Sequence, residues 1–252
     1  MLSKSTAQFV RSLHQKKYRQ QEQCFLVEGA KSVLEVLQSS FRVELLIATD
    51  TFLDEHFRLT SAPNCPTETV GAEALARLGT LESNNAALAV VRMRPNLLPP
   101  PTPGEWILVL DEVRDPGNLG TILRIADWYG LSSILCSAGT AEVYNPKVIS
   151  ASKGSFTRVN WWYGDVGAVL ATSHVPVFGA FLDGHPVHQY SFGGSGGYVV
   201  MGNEATGIGP LLAPLVSHRL TIPRYGAAES LNVGVATAII LDNLRRSQTA
   251  AT

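Results

Sequence analysis

The sequence predicts an α/β fold in two parts, with a parallel sheet in the second part. Short apolar runs such as Trp106–Leu110 alternate with helical segments, which is typical of buried parallel strands and their crossover helices. Five prolines interrupt residues 94–104, so this stretch cannot be regular structure. We therefore predict a domain over residues 1–93, a proline-rich linker over 94–104 and a second domain over 105–252.

The first part is predicted to be a small layer of helices and strands. The predicted helices are Thr6–Leu13, Ala30–Leu37 and Ala72–Leu78, and the predicted strands are Cys24–Val27, Val43–Ala48 and Ala87–Met93. Residues 1–31 carry six basic and two acidic side chains, a formal charge of +4. This end of the chain is therefore a candidate for phosphate contacts, although a solvated face is an equally good interpretation.

The second part repeats a strand–helix alternation. Its predicted strands are Trp106–Leu110, Ser133–Cys136, Pro176–Phe181, Tyr198–Met201 and Leu220–Ile222. One predicted helix begins after Asp115, a capping residue followed by proline. The other predicted helices cover Pro146–Ala151, Gly167–Ala171 and Leu231–Leu241. Polar, glycine-rich turns follow the last two strands. Because strand ends converge at one edge of a parallel sheet, we expect a ligand pocket there.

Composition excludes several classes of protein. The net charge of -1 gives no global nucleic-acid signature. The three cysteines are far apart in sequence and form no CxxC pair, which favours a reducing cytoplasm. No apolar run is long enough to span a membrane, and no GxGxxG or GxxxxGK[ST] phosphate loop is present. His185 and His188 are spaced HxxH without a third ligand nearby, so we expect no metal site.

Three polar clusters lie at the predicted strand ends or on the helix after them. They are Asn118 with Arg124, Asn203 with Glu204, and Ser230 with Asn232. Each has a structural interpretation: Asn118 binds the turn backbone, Arg124 pairs with a surface acid, and Ser230 caps a helix. Together, however, they would give one pocket a fixed cation, a carboxylate and several neutral hydrogen-bonding groups.

At these clusters the chain resembles a family. LDEVRDPGNLGTILRIADWYG, VVMGNEATGIG and IPRYGAAESLNVGVATAIILDNL resemble, in order, the three signatures of the SpoU (TrmH-like) RNA 2′-O-ribose methyltransferases of the SPOUT superfamily. KKYRQQEQCFLVEGAKSVLEVL resembles the substrate-binding extension that precedes many members. In many members the position of Lys153 holds a small residue or methionine, a departure that bears on substrate more than on activity.

The resemblance implies a fold and partners. The C-terminal part would be a SPOUT domain, whose chain threads a loop to form a deep trefoil knot. The N-terminal part would be a small α/β RNA-binding domain like ribosomal proteins of the L30e/L7Ae type. The family uses S-adenosylmethionine and works as a homodimer on RNA. We expect the same of this chain, with rRNA as the favoured substrate and no membrane.

The resemblance also assigns site residues. Met201, Gly202, Ile222 and Leu231 would line the cofactor pocket. Arg124 would act as a base or, because a guanidinium is effectively always protonated, as an electrostatic clamp on phosphate and the developing alkoxide. Asn118 would order its loop or touch phosphate, and Glu204 would anchor its turn and orient Arg124. Ser230 and Asn232 would position cofactor or ribose.

Three alternatives stay open at this point. The substrate could be tRNA, or the chain could be an RNA-binding module that kept the fold without catalysis. A Rossmann-like methyltransferase would need a glycine-rich loop after its first strand and an acid ending the second. Phe25–Gly29 and Leu46–Asp50 do not supply this pattern.

Overall fold

The computed structural model describes residues 2–61, 65–81, 84–100, 102–194 and 196–249. The helices within these residues are α1 (Lys4–Ser12), α2 (Lys16–Glu22), α3 (Ala30–Leu37), α4 (Asp50–Glu55), α5 (Phe57–Thr60), α6 (Ala72–Ala76), α7 (Pro116–Trp128), α8 (Pro146–Ser152), α9 (Val166–Ala171) and α10 (Val233–Thr249). The strands are β1 (Cys24–Glu28), β2 (Val43–Ala48), β3 (Thr67–Thr69), β4 (Ala87–Arg92), β5 (Trp106–Leu110), β6 (Ser133–Cys136), β7 (Asn160–Tyr163), β8 (Val177–Pro186), β9 (Gly197–Met201) and β10 (His218–Thr221). No helix among them has the length and apolar character needed to cross a bilayer.

The chain divides into two compact units. Unit 1 contains residues 1–95 and 142–158, and unit 2 contains residues 96–141 and 159–252. This differs from the predicted domains in one segment, because residues 142–158 group with the N-terminal residues. Residues 94–100 and 102–105 form no helix or strand.

Unit 1 is built on a four-stranded sheet with the order β1-β4-β2-β3. β4 pairs antiparallel with both β1 and β2, and β3 lies parallel to β2 at the edge. The residues of β1 are buried along its whole length. Alternate residues of a strand face opposite sides of a sheet, so a strand buried throughout must be covered on both sides.

The segment 142–158 supplies part of that cover. The ring of Phe25 in β1 lies 4.6 Å from the ring of Tyr144 and 6.0 Å from that of Phe156, centroid to centroid. Arg19 is only 2% exposed and donates to Glu142 at 2.7 Å. Within the basic N-terminal segment, Arg19 is therefore buried and engaged inside the unit rather than available to a phosphate.

Unit 2 is built on a six-stranded sheet with the order β10-β8-β9-β5-β6-β7. All neighbouring strands in this sheet are parallel, so the predicted α/β fold with a parallel sheet is confirmed. On one face, Ile107 and Val109 of β5 pack with Val166 and Leu170 of α9. The helix α7 also buries an apolar stripe, formed by Leu119, Ile122, Leu123 and Ala126. The trefoil knot stays a prediction.

Several element boundaries differ from the predicted ones. β10 ends at Thr221, which leaves Ile222 just outside the strand. α10 begins at Val233, so Leu231 precedes the helix. The edge strands β3 and β7 were not predicted. Their exposed or half-exposed residues show no apolar alternation, so periodicity carries no signal for them.

Candidate functional site

The carboxyl ends of the parallel strands place three loops at one edge of unit 2. These loops follow β5, β9 and β10 and cover residues 111–115, 202–212 and 222–232. The first leads into α7 and the third into α10, and these two helices pack against each other. All five residues predicted to be catalytic lie in these loops or on these helices.

The loop after β9 is closed by its own hydrogen bonds. The backbones of Asn203 and Gly207 exchange two bonds of 3.0 and 2.9 Å, and the Asn203 side-chain oxygen accepts from the amide of Ala205 at 2.9 Å. A β-carbon on Gly202 would lie 2.1 Å from the carbonyl carbon of Gly207. Because no side chain fits at such a distance, glycine at 202 is required for this turn to close.

Two further residues tie this loop to the loop after β5. The carboxylate of Asp111 is 8% exposed and accepts from the amide of Gly209 at 2.7 Å. The side-chain amide of Asn203 donates to the carbonyl of Glu112 at 2.8 Å. The sequence analysis placed Asn203 in a polar cluster without giving it a role, and it did not single out Asp111. An acid placed directly after a fully buried strand was the signal available for Asp111, since such a carboxylate needs a buried donor.

A chain of side-chain hydrogen bonds joins three of the predicted site residues. Asn118, near the start of α7, donates from Nδ2 to Oε1 of Glu204 at 2.7 Å. Its Oδ1 accepts from Nδ2 of Asn232 at 2.8 Å. Asp115 caps α7 and accepts from the backbone amide of Asn118 at 2.8 Å. Residues from all three loops are thereby linked through one asparagine, which acts as donor and acceptor at once.

Asn232 also begins α10. Its Oδ1 accepts from the amides of Gly234 at 2.9 Å and Val235 at 3.3 Å, the pattern of a helix cap. The suggestion that Ser230 caps this helix is therefore wrong, because the helix starts two residues later than predicted. Ser230 is exposed, and its hydroxyl has no hydrogen bond to any residue that the structure describes.

Arg124 stands apart from this chain of hydrogen bonds. It is exposed on α7 and makes no ion pair or hydrogen bond with the described residues. The expectation that Glu204 orients Arg124 is wrong, because that carboxylate accepts from Asn118 instead. Six residues separate Asn118 from Arg124, a rotation of about 240° at 3.6 residues per turn, so the two side chains leave the helix in different directions.

The residues predicted to hold the cofactor lie in two different settings. Met201 is 1% exposed, and its carbonyl accepts from the amide of Asp111 at 2.9 Å. With Gly202, it therefore lies where the loops after β5 and β9 are hydrogen-bonded to each other. Ile222 is half-buried and Leu231 is 48% exposed. Between them, no backbone amide from residue 222 to residue 231 donates to a described residue. The loop after β10 thus presents apolar side chains and unused backbone donors.

The described residues contain no group of three or more His, Cys, Asp or Glu side chains that could hold a metal ion. His185 lies with its ring 6.0 Å from the ring of Tyr190, edge to face, and His188 belongs to a short turn of 3₁₀ helix. The HxxH pair therefore has no third ligand in the part of the chain that is described.

Comparisons with known proteins identify the family. The SpoU rRNA Methylase family model matches residues 105–242, and the MRM3-like substrate binding domain model matches residues 4–89. The chain is 31% identical to the 23S rRNA (guanosine(2553)-2′-O)-methyltransferase RlmP of Bacillus subtilis, over 93% of this chain and 94% of that protein.

Two solved structures cover 98% of this chain. One, a member of the TrmH family from Porphyromonas gingivalis, is 37% identical, with a TM-score of 0.86 over 99% of its own length. The other is an AdoMet-bound rRNA methyltransferase from Sinorhizobium meliloti, 27% identical, with a TM-score of 0.89 over 96% of its length. With the family model spanning more than half of its residues, this chain belongs to the SpoU rRNA methylase family.

Proposed function

We propose that the protein transfers a methyl group from S-adenosylmethionine to a ribose 2′-oxygen of rRNA. The observation that carries the proposal is the chain Glu204–Asn118–Asn232, which joins three strand-end loops, one of which has unused backbone donors. The B. subtilis relative, similar over almost its whole length, is named a 23S rRNA 2′-O-methyltransferase. This likeness favours rRNA over tRNA as the substrate.

The residues of the loop after β10 fit the cofactor. Ile222 and Leu231 offer apolar surface for an adenine ring, and the unpaired amides between them offer donors for its ring nitrogens and the ribose. We assign Met201 and Gly202 a supporting role, because Gly202 allows the neighbouring turn to close. S-adenosylmethionine, when bound, supplies the methyl group as an electrophile on a positively charged sulfur.

The protein's own residues then have two tasks. Asn118, Glu204 and Asn232 hold the loops in a fixed arrangement, which keeps the acceptor oxygen aligned with the methyl group. Arg124, which has no partner among the described residues, stabilises negative charge as the 2′-hydroxyl loses its proton. Ser230, exposed and without a hydrogen bond to a described residue, contacts the ribose or the cofactor.

We further propose that two copies of the chain form the active protein. Trp128 at the end of α7 is 83% exposed, and Val235 in the first turn of α10 is 50% exposed. The two helices pack against each other, and each carries one of these exposed apolar side chains. Large exposed apolar side chains are typical of an interface between subunits.

Two smaller proposals concern conditions. The sulfonium leaves as a neutral thioether and needs no Lewis acid, so we propose that the reaction proceeds without metal and that dialysis against a chelator leaves the rate unchanged. The three cysteines are free thiols, which supports the proposal of a cytoplasmic location.

The proposal is tested with Arg124→Ala and Arg124→Lys. Arg124 is off the buried stripe of α7, so both variants should fold and bind S-adenosylmethionine like the wild type. Losing one charged contact to the transition state costs about 2.7–4 kcal/mol, so Arg124→Ala should slow methyl transfer roughly a hundred- to thousand-fold. Arg124→Lys keeps the charge without the planar fork and should remain badly impaired.

Arg246→Ala is the matched control, because it removes an exposed arginine from α10 without touching the three loops. It should methylate rRNA at the wild-type rate. Full activity of Arg124→Ala would remove Arg124 from the site. A wild-type protein that binds rRNA and cofactor but transfers no methyl group would support the non-catalytic alternative.

A further inference from the structure

We propose that Lys153 binds a backbone phosphate of the RNA substrate, an inference that rests on the proposed function. Lys153 follows the last residue of α8 and has φ 51° and ψ 35°, in the left-handed region. A side chain with a β-carbon is crowded there, and glycine or asparagine is preferred at this position of a helix end. Strained backbone positions cluster at functional sites, and of the described non-glycine residues with positive φ, which are Gln23, Glu112 and Lys153, only Lys153 is cationic.

The local fold directs that charge to solvent. Ser152 is 0% exposed, and Gly154 to Thr157 are buried, so Lys153 alone is exposed in this stretch. Its ammonium group makes no ion pair or hydrogen bond with the described residues. An exposed, unpaired cation held beside a buried turn can meet a phosphate oxygen without first breaking a contact inside the protein.

The charge balance of the two units supports a phosphate as the ligand. By sequence, unit 1 carries 14 basic and 11 acidic residues, whereas unit 2 carries 6 basic and 10 acidic residues. Within unit 1, residues 142–158 hold three basic residues and one acid, and that acid, Glu142, is paired with Arg19. The segment therefore supplies two of the three net positive charges of unit 1, the unit that includes the residues matching a substrate-binding domain.

A second lysine lies close to this position. A β-carbon on Gly154 would fall 2.6 Å from Cγ of Glu35, which shows how closely the turn approaches α3. Glu35 is itself paired with Arg158. Lys31 is exposed one turn earlier on α3, on the same side as Glu35. The turn that holds Lys153 therefore lies beside α3, where Lys31 adds a second exposed cation and the charge of Glu35 is compensated by Arg158.

The test exploits the left-handed conformation. Lys153→Gly removes the charge and the crowding together, so the melting temperature should rise by about 2–4 °C while RNA binding weakens. Each phosphate contact to single-stranded RNA contributes about 0.7 to the slope of log affinity against log salt. At about 0.1 M salt, losing one contact should therefore weaken binding to purified rRNA roughly fivefold and lower the slope by about 0.7.

Gln23→Gly is the matched control. Gln23 ends α2 with φ 52° and ψ 37°, the same conformation in the same unit, and it is uncharged. Its melting temperature should rise less than that of Lys153→Gly, because the substitution also removes the hydrogen bond from Nε2 of Gln23 to the carbonyl of Gln20 at 2.8 Å. It should bind rRNA like the wild type. Lys153→Arg should also bind like the wild type, and binding of S-adenosylmethionine should be unchanged throughout.

The proposal is overturned if Lys153→Gly binds rRNA with the wild-type affinity and salt slope. It is also overturned if Gln23→Gly loses as much affinity, because the loss would then follow backbone flexibility rather than charge. Failure of the wild-type protein to bind or methylate rRNA would refute the proposed function instead, so the two results are distinguishable.

Discussion

Asn118 is the residue through which the three loops are joined, and Asn118→Asp tests that role with almost no change in shape. The substitution replaces the Nδ2 donor, now 2.7 Å from Oε1 of Glu204, with a second carboxylate oxygen. The bond from Asn232 is retained, because a carboxylate still accepts from its amide. The variant therefore breaks one link of the chain and leaves the other.

The expected magnitude follows from this geometry. The lost hydrogen bond is worth about 1 kcal/mol, since Glu204 is exposed to water. Two unit charges about 3–4 Å apart in water repel by about 1 kcal/mol more. We expect Asn118→Asp to lower the free energy of unfolding by about 1–2 kcal/mol, and to reduce methyl transfer because Glu204 no longer anchors its loop.

The double variant N118D/E204Q isolates the contact. The amide introduced at position 204 can donate to the carboxylate at 118, which restores the bond with its direction reversed. Unfolding by urea and the rate of methyl transfer are measured for both single variants, the double variant and Asn160→Asp, which adds the same charge at the amino end of β7. Strictly additive effects in the double variant, or an Asn118→Asp protein with wild-type stability and rate, would refute the proposed link.

Three further predictions concern the rest of the fold. Because residues 142–158 pack into unit 1, a protein that lacks residues 1–93 should bind hydrophobic dyes and aggregate, as light scattering would show. Gly202→Ala should destabilise the protein by about 1–3 kcal/mol or more in urea unfolding, because its β-carbon would meet the backbone of Gly207, whereas Gly226→Ala, with nothing within 4 Å, should be neutral. Burial raises the pKa of the Cys136 thiol to about 12, above the unfolded value of about 8.5. The contribution of this thiol to the free energy of unfolding is therefore present below about pH 8.5 and is lost as pH rises toward 12. In urea unfolding at alkaline pH, a Cys136→Ala variant should lack this loss of stability.

Much of the fold could be predicted because buried parallel strands have a simple signature. The apolar runs Val43–Ala48 and Trp106–Leu110 match β2 and β5 residue for residue, and Asp115 caps α7 as expected. The grouping of residues 142–158 with unit 1 could not be predicted. It depends on ring contacts of Phe25 with distant aromatic residues, and a single sequence carries no record of which apolar side chains meet.

The sequence predicted the residues of the candidate site better than the hydrogen bonds between them. Strand-end position and family signatures brought Asn118, Glu204 and Asn232 to one edge, and the structure joins them. Spacing along a sequence does not define hydrogen-bond partners, so Glu204 was assigned to Arg124 and not to Asn118. The start of α10 was predicted at Leu231 and lies at Val233. Ser230 and Asn232 are both good capping residues, and only the backbone geometry decides between them.

The proposed activity is methylation of a ribose oxygen, and alkaline hydrolysis of the product RNA distinguishes it from methylation of a base. Alkali cleaves RNA through the free 2′-hydroxyl, so a methylated ribose protects the bond on its 3′ side. Purified rRNA incubated with the protein and S-adenosylmethionine should gain a discrete protected position that is missing without cofactor and strongly reduced with Arg124→Ala. Transfer of labelled methyl groups to RNA without any alkali-resistant bond would mean that the methyl group is on a base, which would contradict the proposed function.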